Sequence, residues 1–249
     1  MKRVLFILLL CLPVYSQIVI RPLSVPADTR LTGLLAFWNL SEASGTREDT
    51  ISTNDLTDYN TVLYGTGVIG RAADFELDNS EYLYVADNAA MSMSAAESFA
   101  ISCWVKMESQ PATVGIMVKA TGVNVNQMEW LLYWTAATSR LRFATGDGSN
   151  RSYVDWGSAT GTGTLFFICC WYNTVTDSIY MQVDNGTPLR AEAVYEPYDG
   201  TASLVLGSLI TNYYDGLIDQ AGVWSRELNS VKGHSFADSL YNGGAGWKP

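Results

Sequence analysis

Phe99-Ala100-Ile101-Ser102-Cys103-Trp104-Val105-Lys106 is the stretch whose reading decides the fold. Phe99, Ile101, Cys103 and Val105 alternate with Ala100, Ser102, Trp104 and Lys106, and a period of two puts one row on each face of a strand. Working outward, Leu165 to Tyr172 and Ser178 to Val183 are equally rich in β-branched and aromatic residues, and Asp184-Asn185-Gly186 closes the second as a hairpin signal. Leu34 to Leu40, Tyr82 to Ala86, Gly115 to Lys119, Trp130 to Thr135, Leu141 to Thr145, Ser203 to Gly207 and Leu217 to Trp224 repeat the pattern between turn residues. A helix is favoured in one place, Ser230 to Tyr241, with Asn229 as cap, Val231, Phe236 and Leu240 as apolar contacts, Asn242-Gly243 as a stop, and Gly233 as a weak point. No stretch recurs at a solenoid or propeller period. The expectation is an all-β protein: a two-sheet antiparallel jelly-roll β-sandwich over residues 33–249 with one short C-terminal helix.

Composition bounds the function. With 48% hydrophobic and 16% charged residues the chain can bury a core. Its 25 acidic and 15 basic residues give a net charge of -10, which repels phosphate backbones and argues against nucleic acid as a partner. Lys2 and Arg3 precede an apolar run from Val4 to Leu12, then Pro13 and Ser16, the layout of a secretory signal over residues 1–16. The run is shorter than the roughly 20 apolar residues of a transmembrane helix. The alternative is an uncleaved N-terminal arm. Residues 17–32, with Pro22 and Pro26, read as a linker or arm. Beyond that segment Cys103, Cys169 and Cys170 remain, and an oxidising compartment favours a bridge from Cys103 to Cys169 or Cys170. With His234 the sole histidine, structural zinc of the common kinds is not on offer.

Tyr214-Asp215-Gly216-Leu217-Ile218-Asp219, Val223-Trp224-Ser225-Arg226-Glu227-Leu228 and Leu240-Tyr241-Asn242-Gly243 resemble the closing strand and helix of laminin-G-like and concanavalin A-like domains. GLLAFWNLSEASGT from Gly33, SFAISCWVK from Ser98 and SIYMQVDNG from Ser178 stand in that family's order, so the resemblance covers roughly residues 33 to 243. It extends to pentraxins, which implies a disulfide from Cys103 to Cys169, although the interval from Phe99 to Cys103 is one residue longer than in pentraxins. The pentraxin calcium loops are not matched: Val125-Asn126-Gln127-Met128-Glu129 lacks the Asp-Asn pair, and Gly207 to Asn212 lacks the acidic cluster. Phosphocholine-type binding is therefore not carried over. Many relatives bind one structural calcium ion, and the resemblance points to Asp49, Asp55 and Asp219 as its ligands here. Read without the family, Asp219 is a carboxylate in an apolar strand that needs backbone donors, a basic partner or a metal.

Catalytic constellations are weak. Glu76-Leu77-Asp78-Asn79-Ser80-Glu81 fits E-x-D-x-x-E, by which some sandwich glycanases present a nucleophile and an acid about 5 to 5.5 Å apart. Asp78-Asn79-Ser80 nevertheless reads as a turn, which makes a solvated hairpin the default. His234 beside Ser235 has no orienting carboxylate to make a triad. Binding without chemistry is better supplied: Asn126, Asp147, Trp156, Asn212, Tyr213 and Tyr214 sit among loops as the aromatic faces, amides and carboxylates that sugar sites use. Asn39-Leu40-Ser41, Asn150-Arg151-Ser152 and Asn185-Gly186-Thr187 are glycosylation sequons. The chain thus reads as a non-enzymatic, secreted or cell-surface binding or adhesion module whose rim loops engage a glycan or a protein. The alternatives are a virion or surface-assembly component whose sandwiches pack on one another, and a glycan hydrolase using Glu76 and Glu81.

Overall fold

The computed structural model describes residues 28–110, 112–121, 128–157, 162–227 and 236–249. The signal or arm over residues 1–16, most of the linker over 17–32, Asn126, the Asn229 cap and His234 lie outside the described residues. Strands run in the order β1 (Leu34–Trp38), β2 (Thr57–Tyr59), β3 (Leu63–Thr66), β4 (Arg71–Phe75), β5 (Tyr82–Val85) and β6 (Phe99–Met107). Then come β7 (Val114–Ala120), β8 (Met128–Thr135), β9 (Arg140–Gly146), β10 (Arg151–Trp156), β11 (Leu165–Asn173) and β12 (Ser178–Val183). The chain closes with β13 (Leu189–Glu192), β14 (Leu204–Leu206), β15 (Ser208–Leu209), β16 (Asn212–Tyr213), β17 (Gly216–Trp224) and the helix α1 (Phe236–Tyr241).

Two antiparallel sheets face each other. The first has the order β13-β12-β11-β6-β17-β4-β3 with β1 also paired to β17, and the second the order β10-β9-β8-β7-β14-β5-β2. The alternation of the opening stretch decides what lies on each side of the first sheet. Phe99, Ile101, Cys103 and Val105 point into the core between the sheets, where they meet Trp130, Leu132 and Trp134 of β8. Ala100 and Trp104 point outward into a second apolar cluster that α1 and the C-terminal segment cover with Phe236, Leu240 and Trp247. Trp104 stacks on Tyr241 at 5.5 Å and Trp224 meets Phe236 edge-on at 5.9 Å, so both faces of β6 are buried. Each such apolar side chain contributes about 1.5 to 3 kcal/mol by leaving water.

The entry to β17 needs a glycine. Gly216 holds φ at +133°, and a Cβ there would lie 2.0 Å from the Lys106 carbonyl oxygen, so the backbone of β6 passes where a side chain would stand. The hairpin at Asp184 forms as expected: the Gly186 N–H donates to the Val183 carbonyl and the Asp184 carboxylate accepts from the Phe167 N–H at 2.8 Å. Asn242 and Gly243, both at positive φ, end the helical segment after Tyr241. Residues 28–32 dock on the sandwich, where the Arg30 carbonyl accepts the Trp224 indole N–H at 2.8 Å.

Register corrects the cysteine pairing. Cys103 lies opposite Ile168 and Cys169 opposite Ser102. Cys103 and Cys170 therefore face the core, whereas Cys169 faces the outer cluster, and no bridge can pass through the plane of a sheet. All three are free buried thiols, and burial pushes each thiol well above its ordinary range.

Candidate functional site

At one end of the sandwich the turns between strands enclose a cleft of about 510 Å³. Ala95 comes from the β5–β6 connection, Asp147 from the β9–β10 turn, Asp177 from the β11–β12 turn, and Glu192 to Tyr198 from the end of β13 and the segment after it. That last segment is stitched to the sheets. The Ala193 N–H donates to the Asp177 carbonyl at 2.8 Å, the Tyr195 N–H to Ser152 Oγ at 2.9 Å, and the Tyr198 N–H to the Gly146 carbonyl at 2.9 Å. Pinned in this way, the wall presents Tyr198, 44% exposed, with its ring against the backbone of Gly148. Asp147 Oδ1 accepts the N–H groups of Asn150 at 2.6 Å and Ser149 at 2.7 Å, and those bonds hold its carboxyl below the usual range. Asp147, Asp177, Glu192 and Glu196 supply acceptors while no lysine or arginine lines the described wall. An aromatic face beside fixed carboxylates suits a polyhydroxylated ring, whose C–H surface and hydroxyls need both.

Two of the connections that border this cleft are fastened by a buried ion cluster that the sequence reading missed. Lys119, 1% exposed, donates from Nζ to Glu129 Oε1 at 2.9 Å, to Asp87 Oδ1 at 2.5 Å and to the Ala202 carbonyl at 2.9 Å. Glu129, fully buried, also accepts the N–H groups of Met93 at 2.9 Å and Gly200 at 3.3 Å. One carboxylate thereby fastens the β5–β6 and β13–β14 connections, both of which border the cleft. Burial pushes Glu129 up to about 7, with Lys119 opposing the shift. Burial also acts upward on Asp87, but hydrogen bonds from Lys119 and Ser92 hold it below its ordinary value. The available signal was a lysine within Val114–Ala120 and a glutamate within Met128–Thr135, each the charged residue of an otherwise apolar strand.

The remaining sequence candidates scatter. Trp156 is half-buried and packs at 5.9 Å on Phe166, so its ring belongs to the edge of the core. Asn212 and Tyr213 form β16, where Asn212 Nδ2 donates to the Thr113 carbonyl at 2.9 Å and Tyr213 lines a separate cleft. Tyr214 is a correction: it is 1% exposed and meets Phe75 edge-on at 6.1 Å, which makes it core rather than a ligand contact. Of the five that fall among the described residues, only Asp147 lines the rim cleft.

The three acids expected to hold calcium serve two separate turns. Asp49 accepts the N–H groups of Phe37, Ile51 and Asn54 and the Ser52 hydroxyl, and Asp55 Oδ1 accepts the Asp49 N–H at 2.8 Å. Both Asp49 oxygens and Asp55 Oδ1 are engaged by donors that tie β1 to the loop after it, whereas a hard cation needs several converging oxygens. Asp219 serves a different turn, with Oδ2 accepting the Val68 N–H at 2.7 Å. Among the described residues no group of acids, histidines and cysteines converges as a metal set.

In the Glu76-to-Glu81 hairpin, Glu81 is committed to the turn. Glu81 is 2% exposed, and its two oxygens accept the Glu76 N–H at 2.9 Å and Asn79 Nδ2 at 3.0 Å. It braces the turn, and burial lifts its carboxyl against those bonds.

Residues 77–231 match the concanavalin A-like lectin/glucanases superfamily, more than half of the chain. The chain belongs to that superfamily. No curated protein matches it in sequence. Solved structures do share this concanavalin A-like sandwich. The binding domain of Paraclostridial Mosquitocidal Protein 1 superposes with a TM-score of 0.67 at 12% identity, over 85% of this chain and 52% of that one. The botulinum neurotoxin serotype G binding domain gives 0.66 at 12% identity, over 84% and 50%. Domain 4 of an extracellular arabinanase from Geobacillus stearothermophilus, solved with arabinotriose, gives 0.58 at 16% identity, over 78% and 92%. The chain spans about half the length of the two toxin domains. At such identities the likeness establishes the fold, and the superfamily sandwich must be read for function from its own surface.

Proposed function

We propose that the protein is a non-catalytic, extracellular glycan-binding module that holds its ligand in the rim cleft. The observation that carries this reading is the pairing of the exposed Tyr198 ring with Asp147, Glu192 and Glu196 on a wall hydrogen-bonded to both sheets. Rigid presentation lowers the ordering cost of binding. Names of similar structures point the same way, since two are toxin binding domains and a third was solved with a bound trisaccharide. The signal-like residues 1–16 support export. Against hydrolysis stands the use of Glu81 as a turn brace rather than as an acid facing a groove.

A glycan array probed with the wild-type protein and with Tyr198→Ala tests the reading. Tyr198 is exposed, so its removal is expected to leave the urea midpoint within experimental error while weakening the best glycan signal by at least about tenfold, the worth of one stacked ring. Equal signals for both proteins, or no glycan bound by either, would refute it.

A further inference from the structure

A second cleft lies between strands β2, β5, β14 and β7 of the seven-stranded sheet and the small hairpin of β15 and β16. It shares no residue with the rim cleft. Tyr59 and Tyr82 pair directly across β2 and β5, and their rings stack at 4.4 Å and 23°. Tyr213 continues the row from the hairpin, 6.4 Å from Tyr82 and 21° from parallel. The cleft beside them holds about 230 Å³, the scale of a single ring rather than of a folded partner.

Two further observations favour a ligand there. Ile210, at the tip of the hairpin, is 63% exposed and sits at φ 63°, a conformation that costs a β-branched residue free energy and that the chain nonetheless holds beside the opening. Leu209, 3% exposed, anchors that hairpin on the sheet through Val118 and Leu131, so the tip is fixed in place. Charge then selects the ligand. In a chain of net charge -10, the described residues lining this cleft include no acid and no base. Tyrosine supplies an apolar face and a hydroxyl at its tip, which complements a ligand having C–H faces and hydroxyl edges.

We infer that the tyrosine cleft is a second binding site, for an uncharged saccharide unit. Sialylated or sulfated sugars are disfavoured, because nothing among its described residues neutralises an anion and the net charge opposes one. With both sites available, the protein binds a longer glycan, or two neighbouring chains, more tightly than either cleft alone.

Saturation-transfer NMR and calorimetric titration with neutral tetrasaccharides (cello-, laminari- and manno-) and with 3′-sialyllactose test this, using wild type, Tyr82→Ala, Tyr213→Ala and Tyr198→Ala. Tyr213 is the safer probe, being half-exposed in a two-residue strand, while urea midpoints check Tyr82→Ala for folding. The expected result is a neutral saccharide whose affinity falls at least about tenfold in Tyr213→Ala and Tyr82→Ala and retains a measurable component in Tyr198→Ala. Neutral binding unaffected by Tyr213→Ala, binding confined to 3′-sialyllactose, or no neutral binding at all would overturn the inference. Loss in Tyr198→Ala alone would leave the rim reading standing and remove this one. Sedimentation velocity adds one more outcome: a dimer abolished by Tyr213→Ala would mean that a second copy of the chain occupies the cleft, which also overturns it.

Discussion

Lys119→Met is expected to lower stability by about 3 to 5 kcal/mol at pH 8, the usual cost of stranding a buried charge by removing its partner. Glu129 is fully buried, and after the substitution only the Met93 and Gly200 N–H groups would face its carboxylate. The loss should depend on pH in a defined sense. Burial already raises Glu129 to about 7 in the fold, and without Lys119 it rises further. The folded state then binds a proton that the unfolded chain releases, so the variant's stability falls as pH climbs above the ordinary glutamate value toward and beyond neutrality. Urea unfolding at pH 5 and pH 8 measures the effect: a large deficit at pH 8, a smaller one at pH 5. Glu129→Gln added to Lys119→Met should recover part of the loss at pH 8. A midpoint at pH 8 equal to wild type would contradict the assignment of this cluster. Because Glu129 fastens two connections bordering the rim cleft, Lys119→Met should also weaken glycan binding before the protein unfolds.

Asp219→Asn is expected to act in the opposite direction. Asp219 is fully buried in β17; its Oδ2 accepts the Val68 N–H at 2.7 Å, while Oδ1 has no hydrogen-bond partner. Burial pushes this carboxyl up to about 6, against the pull of the Val68 N–H. A carboxyl raised from its ordinary 3.8 to about 6 favours the fold while protonated, and that contribution is lost as pH rises from about 4 through about 6. Each unit corresponds to about 1.4 kcal/mol. Asparagine keeps the acceptor for Val68 and never ionises. The variant should therefore gain about 1 to 2 kcal/mol over wild type at pH 8 and nothing at pH 4, after allowance for a new amide N–H needing a partner. Unfolding curves at the two pH values decide it: a difference between variant and wild type that does not change with pH would rule out a buried, ionising carboxylate.

How legible each feature was follows from how local its cause is. The strands with a strong apolar period, Phe99–Met107 and Leu165–Asn173 above all, could be read directly because both their faces are buried and every residue reports on that. Thr57–Tyr59, Leu63–Thr66 and Leu189–Glu192 were not read, since they lie at sheet edges with mostly exposed residues and little burial to write a pattern. Trp104 fell on the face opposite Phe99, Ile101, Cys103 and Val105, as its alternation indicated; that the helix covers this face came from the structure. Alternation within one strand does not tell which of Cys169 and Cys170 shares a face with Cys103; the pentraxin comparison chose Cys169, and register places it on the opposite face.

The site was less readable for a physical reason. Asp147 and Tyr213 were within reach because turn acids and loop aromatics are visible in one dimension. Tyr198 and Glu196 were not, because their value arises only when the segment after β13 folds back onto Gly146 and Gly148. Tyr214 sits beside Tyr213 in sequence yet points the other way, as neighbours in an extended chain do. Asp219 was read as a carboxylate in need of donors, and the Val68 N–H supplies one; its assignment to calcium came from the family, and among the described residues no metal set gathers around it.

The most direct test is a crystal structure of the protein with the tightest-binding glycan from the array. The account predicts sugar density in the rim cleft, a ring lying against Tyr198 and hydroxyls within hydrogen-bond distance of Asp147, Glu192 or Glu196. Sugar bound away from that cleft and from the row of Tyr59, Tyr82 and Tyr213, or cleaved beside Glu76 and Glu81, would contradict it.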